Sequence, residues 1–92
     1  MIRSFRDKRT EALFRDQRVA ELQGVARVAK RKLEAVNAAG RIEDLRVPPS
    51  NHLEKLKGDL KGRYSIRVND QWRVVFRWAD GDAFDVEIAD YH

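Results

Sequence analysis

Apolar and polar residues alternate in two successive runs, Tyr64-Ser65-Ile66-Arg67-Val68 and Trp72-Arg73-Val74-Val75-Phe76-Arg77-Trp78, with Val75 the one break in the pattern. A period of two is that of a β-strand buried on one face. It puts Tyr64, Ile66, Val68, Trp72, Val74, Phe76 and Trp78 on the buried side and the arginines on the other. Because a one-residue slip would turn a whole apolar set to water, apolar residues must face apolar residues. Val68 then pairs with Trp72, Ile66 with Val74 and Tyr64 with Phe76, and the loop between them is Asn69-Asp70-Gln71, of turn composition. In this register Arg67 stands directly opposite Arg73, a like-charge pair that costs up to about 1 kcal/mol. Either both arginines splay into water or find carboxylates, or an anion such as a phosphate lies between them.

A third alternating run, Ala83 to Tyr91, turns Phe84, Val86 and Ile88 inward and Asp85 and Glu87 outward. Matching Phe84 to Trp78 and Val86 to Phe76 requires an odd loop, Asp80-Gly81-Asp82. It sets Arg77 opposite Asp85 and leaves Arg73 opposite the small Ala89, with Tyr91 diagonally beside it. The same alternation sends Asp90 and His92 to the other face unless the chain twists after Ala89. His52 to Lys57 reads as a short strand beside the first run, Gly58 to Gly62 as a glycine-bracketed loop, and Met1 to Phe5 as a short opening strand.

Helical spacing appears earlier in the chain. Val19, Leu22, Ala26, Ala29, Leu33 and Val36 recur three and four apart, which predicts a helix over Val19 to Ala38, weakened at Gly24 and stopped near Gly40. Asp7 to Phe14 predicts a shorter helix capped by Asp7 or Thr10, with Ala12, Leu13 and Phe14 turned inward. Arg41 to Ser50 connects helix to sheet, with a turn of helix at Ile42 and Leu45 before Pro48-Pro49 forbids its continuation. The pattern is α+β: N-terminal helices packed on a small, mainly antiparallel, four- to five-stranded sheet, in a single domain over residues 1–92.

Composition narrows the chemistry. With no cysteine and only His52 and His92, disulfides and thiolate metal sites are excluded and a zinc centre is not expected, so neither a metal nor a cofactor is anticipated. No run of apolar residues is long enough for a membrane span, and the N-terminus has no apolar signal core, so a cytoplasmic protein is expected. The net charge of +4 conceals an uneven distribution: residues 79–92 hold 5 acidic and no basic side chains, whereas residues 1–78 hold all 19 Lys and Arg. A basic body favours an anionic partner, nucleic acid first. Lys30-Arg31-Lys32 is either a solvated helix face or part of such a contact.

Arg67, Arg73 and Tyr91 share one predicted sheet face near the terminal Asp90-Tyr91-His92. RNA cleavage needs a base for the 2′-OH, a cation for the charge developing on the phosphorus-bound oxygens and an acid for the 5′-oxygen, and imidazole suits either proton role. Leu53-Glu54-Lys55-Leu56-Lys57-Gly58-Asp59, the run Tyr64 to Arg73 and the terminal Asp90-Tyr91-His92 resemble the HigB-type killer proteins of bacterial toxin-antitoxin systems, within the RelE-like superfamily. The likeness extends from Met1-Ile2-Arg3-Ser4-Phe5 to the last residue.

The resemblance implies a metal-independent endoribonuclease that cleaves mRNA on the 70S ribosome, is neutralised by a HigA-like helix-turn-helix antitoxin and meets operator DNA only through that antitoxin. It implies that Arg73 stabilises the transition-state phosphate, that Lys57 assists, and that Asp90, Tyr91 and His92 transfer protons and position substrate. Arg67, Lys55, Lys61, Glu54 and His52 are the expected substrate contacts. Some catalytic relatives carry histidine where Glu54 stands here: glutamate can act as base, His52 can replace it, or Glu54 is a surface residue. The competing function class is a non-catalytic basic module that binds RNA or an antitoxin, which would give salt-sensitive binding without cut messages.

Overall fold

The computed structural model describes residues 1–60 and 62–90. Its centre is the predicted hairpin. Strand β2 (Arg63–Arg67) pairs antiparallel with β3 (Trp72–Ala79) in the register derived from the pattern, Tyr64 with Phe76, Ile66 with Val74 and Arg67 with Arg73. Asn69 closes the turn: its Oδ1 accepts from the backbone N–H of Gln71 (2.8 Å) and Trp72 (2.7 Å). With β1 (Glu54–Lys55) and β4 (Asp82–Asp90) the sheet is an antiparallel meander in the order β1-β2-β3-β4.

Helices α1 (Lys8–Phe14) and α2 (Ala26–Ala38) cover one face of the sheet. Leu33 and Val36 of α2 meet Ile66, Val74, Phe76, Val86 and Ile88 in a core where each of these is fully buried. Each such side chain contributes roughly 1.5–3 kcal/mol relative to exposure. Asp7 caps α1 by accepting from the Thr10 N–H at 2.7 Å, and buried Thr10 Oγ1 accepts from the Ile88 N–H at 2.9 Å, tying helix to strand.

Several expectations are corrected. The long helix over Val19 to Ala38 is two pieces, a 3₁₀ turn at Ala20–Leu22 and α2, because glycine at position 24 costs about 1 kcal/mol in a helix interior and the chain turns there instead. The strand over His52 to Lys57 shrinks to Glu54–Lys55, since His52 is left-handed (φ 45°, ψ 56°) and Gly58 has φ 67°. The β3–β4 loop is Asp80-Gly81 rather than three residues, with φ 54° and 80°, the positive pair of a type I′ turn. That turn pairs Arg77 with Phe84 and Trp78 with Ala83, so Ala83 rather than Phe84 points into the core, and Phe84 lies under the Arg77 guanidinium at 4.6 Å.

A bulge between Val75 and Arg77, with Asp85 at φ 53°, then restores the expected register, so that Arg73 does face Ala89. The opening segment holds that bulge. Ile2 and Phe5 make isolated parallel bridges to Ala83 and Val86, not a full strand, and Ser4 Oγ accepts from the Asp85 N–H at 2.8 Å. Asp85 still meets Arg77, at 3.5 Å, and Arg63 at 3.7 Å.

Candidate functional site

On the sheet face away from the helices, Arg67 and Arg73 stand opposite one another, and each has a carboxylate: Asp70 pairs with Arg67, and Glu54 Oε1 lies 3.6 Å from Arg73 Nη1. The like-charge conflict read from the sequence is therefore relieved within the chain, by side chains three residues ahead and one strand over. Arg73 is held more firmly than an ion pair would hold it. Its Nε donates to Ser65 Oγ at 2.9 Å, its Nη2 donates to the His52 carbonyl at 2.6 Å, and only 11% of its side chain is exposed. Glu54 is half exposed, so its pair with Arg73 is screened and adds little stability.

The acceptors of Arg73 come from two sources. Ser65 lies diagonally across from Arg73 on the same sheet face and is fully buried. The His52 carbonyl is aimed by the left-handed His52 and by Asn51 before it, whose buried Nδ2 donates to the carbonyls of Leu45 (3.1 Å) and Val47 (3.3 Å). A cavity of about 280 Å³ opens between these elements, lined by His52, Glu54, Arg67, Asn69, Asp70 and Arg73. It presents two guanidinium groups, an imidazole and two carboxylates to anything that enters. Among the described residues no cluster of His, Asp and Glu is placed to hold a metal ion.

Of the ten residues singled out from the sequence, Arg73, Arg67, Glu54 and His52 meet in this cavity. Lys55 and Lys57 do not line it. Lys55 pairs with Tyr64 at the sheet edge, and both lysines, with Leu56 and Gly58, border a separate hollow of about 300 Å³. Asp90 pairs with Trp72, on the helix side of the sheet as alternation predicts, and its Oδ2 accepts from Gln71 Nε2 at 3.1 Å. Lys61, Tyr91 and His92 lie outside the described residues. Sequence reasoning did not pick Ser65, Asn69 or Asp70 as parts of the site. Ser65 was legible as the diagonal neighbour of Arg73, and Asp70 as a carboxylate three residues beyond Arg67.

The family model described as "RelE-like toxin of type II toxin-antitoxin system HigB" matches residues 3–92. The chain belongs to the HigB-like toxin family. Toxin HigB-1 of Vibrio cholerae serotype O1 is 42% identical over 87 residues, covering 92% of both chains. Endoribonuclease HigB of Proteus vulgaris is 36% identical over 94 residues, covering all of both. Among solved structures, this HigB-like chain superposes on the toxin in the YoeB-YefM complex of Staphylococcus aureus with a TM-score of 0.61 at 19% identity, covering 100% of this chain and 98% of the other. The YoeB dimer of the same organism gives 0.60 at 21% identity, covering 99% and 97%. At those identities the likeness speaks to the fold, which is that of the RelE-like toxins.

Proposed function

We propose that this HigB-like toxin is an endoribonuclease that cuts messenger RNA on the translating ribosome, using the cavity between β1, β2 and β3. The observation that carries the reading is Arg73, fixed by Ser65 and the His52 carbonyl beside a half-exposed Glu54 and opposite a second arginine. A guanidinium locked in place costs no reorganisation when negative charge builds on a phosphate, which is the condition for strong electrostatic stabilisation. Arg67 and the lysines Lys55, Lys57 and Lys61 contribute further positive charge along the RNA backbone.

In this mechanism Glu54 takes the proton from the 2′-OH, the 2′-oxygen attacks phosphorus, and the bond from phosphorus to the 5′-oxygen breaks. The leaving oxygen receives its proton from His92. The products are a 2′,3′-cyclic phosphate and a 5′-hydroxyl, and the carboxylic acid and imidazole return to their starting states by exchange with water. His52, on the rim, orients the ribose. Tyr91 stacks on a neighbouring base, and Asp90 holds the end of β4 through Gln71. Side chains supply every charge and proton here, so cleavage should persist in EDTA.

The partner that silences such a toxin is a HigA-like helix-turn-helix antitoxin, which also carries the pair to operator DNA. The site of action is the cytoplasm, and among the described residues no helix is long and apolar enough to cross a membrane. Induction of the wild-type chain, Arg73→Ala and a His92 deletion in a bacterial host tests the reading. Wild type should arrest growth, and both variants should relieve the arrest while keeping a folded circular-dichroism spectrum. Unchanged toxicity in both would refute the site.

A further inference from the structure

A second basic cavity lies on the other side of the segment that aims the His52 carbonyl. It encloses about 400 Å³ and is lined by Arg31, Lys32 and Ala35 of α2 and by Pro48, Ser50 and Asn51. Asn51 lines this cavity and His52 lines the first, so consecutive residues of the chain border the two. Asn51 itself is rigid, being buried and bonded to the Leu45 and Val47 carbonyls.

The charges here differ from those of the sheet. The arginines of the sheet and of α1 are matched with carboxylates, as Arg67 is with Asp70, Arg77 with Asp85 and Arg9 with Asp7. Among the described residues, neither Arg31 nor Lys32 has a carboxylate within ion-pair distance, although they are adjacent in sequence. Lys32 Nζ donates to Asn51 Oδ1 at 2.5 Å, which fixes the ammonium at the cavity wall. Its pKa lies below the usual lysine range, through burial first and the neighbouring Arg31 charge second. An anion in the cavity would favour the charged ammonium and oppose that shift, and exposed Pro48 and Ser50 offer an apolar wall and a hydroxyl next to it.

We propose that this cavity binds a phosphate of the same RNA strand that occupies the cleavage cleft, with Arg31, Lys32 and Ser50 as its contacts. The inference rests on the endoribonuclease reading, because RNA is favoured over an acidic peptide by the shared Asn51–His52 segment: a polyanion in the first cavity meets the stretch of chain that also borders the second. Its consequence is that the toxin grips RNA on both sides of that segment, and that affinity and chemistry are separable.

The test uses the full chain and a short 2′-O-methyl oligoribonucleotide, whose blocked 2′ position prevents cleavage. Amide shifts should appear at Arg31, Lys32 and Ser50 as well as at Arg67 and Arg73. Arg31→Gln, at an exposed helix position, should lower affinity and reduce the slope of log K against log salt by about 0.7–1, the loss of one phosphate contact. Ser50→Glu, also exposed, should weaken binding further at low salt. Shifts confined to the Arg67–Arg73 cleft, with the Arg31→Gln slope unchanged, would overturn the second site and leave the proposed function standing. No shifts in either cavity would overturn both. A Glu-rich peptide that shifts Arg31 and Ser50 where the oligoribonucleotide does not would overturn RNA as the occupant.

Discussion

Arg73→Lys keeps the charge of the central cation and removes its geometry, which makes it the most informative substitution in the cleft. In the native site Nε reaches Ser65 Oγ at 2.9 Å while Nη2 reaches the His52 carbonyl at 2.6 Å. A lysine has one nitrogen on a flexible stem and cannot serve both acceptors while also facing a phosphate. The His52 carbonyl bond is exposed, so water can replace it at little cost. Ser65 is fully buried and would lose its donor, a penalty of about 1–3 kcal/mol.

Cleavage should suffer more than stability. Loss of one preorganised donor to a developing anion is worth about 10²–10³-fold in rate. Urea denaturation gives the first quantity. The fraction of a reporter message cut in a translating extract gives the second. Cleavage within threefold of wild type would mean that charge alone suffices and that anchoring by Ser65 and His52 is irrelevant to the chemistry.

Glu54→Gln should reduce cleavage by about 10²–10⁴-fold, the usual contribution of a general base, while RNA affinity holds or rises because a negative charge has left the cleft. Single-turnover rates and affinity for uncleavable RNA would separate these effects, and an unchanged rate would remove Glu54 as the base. Thr10→Val should cost about 1–3 kcal/mol in urea unfolding by leaving the buried Ile88 N–H without its 2.9 Å acceptor. Asp44 sits below the usual carboxylate range because the Arg41 and Gly40 N–H groups donate to it, and Asp82 does because the chain's N-terminal ammonium and Arg3 do. Folded pKa values below the unfolded value of 3.8 mean that the stabilisation is fully present above that pH and is lost as pH falls through the folded values. Stability against pH should therefore decline below about pH 4, less steeply in Asp44→Asn, and identical curves would contradict the assignment.

The β2–β3 hairpin was legible in the sequence down to its register, because alternation of seven apolar residues sets the faces and the short Asn69-Asp70-Gln71 loop selects among the pairings that keep them. The β3–β4 pairing was half legible. Its far end follows the same rule, but the near end turns on whether Asp85 adopts positive φ, and that is stabilised by Ser4 from the other end of the chain. Alternation carries no record of such a contact. Periodicity likewise ran straight through Gly24, since apolar spacing continues across a break that backbone entropy enforces.

In the cleft, side-chain chemistry was readable and backbone chemistry was not. The opposed arginines and the nearby Glu54 follow from residue identity and register. The carbonyl that seats Arg73 depends on one left-handed residue and a buried asparagine, and residue types alone do not announce either.

Transcript 5′ ends, mapped a few minutes after induction of the wild-type chain and of Arg73→Ala, bear most directly on the claim that this cleft cuts messages. The account predicts new 5′-hydroxyl ends aligned with the reading frame in wild type and none above background in the variant. The same ends at the same abundance in Arg73→Ala, or growth arrest by wild type with messages left whole, would contradict it.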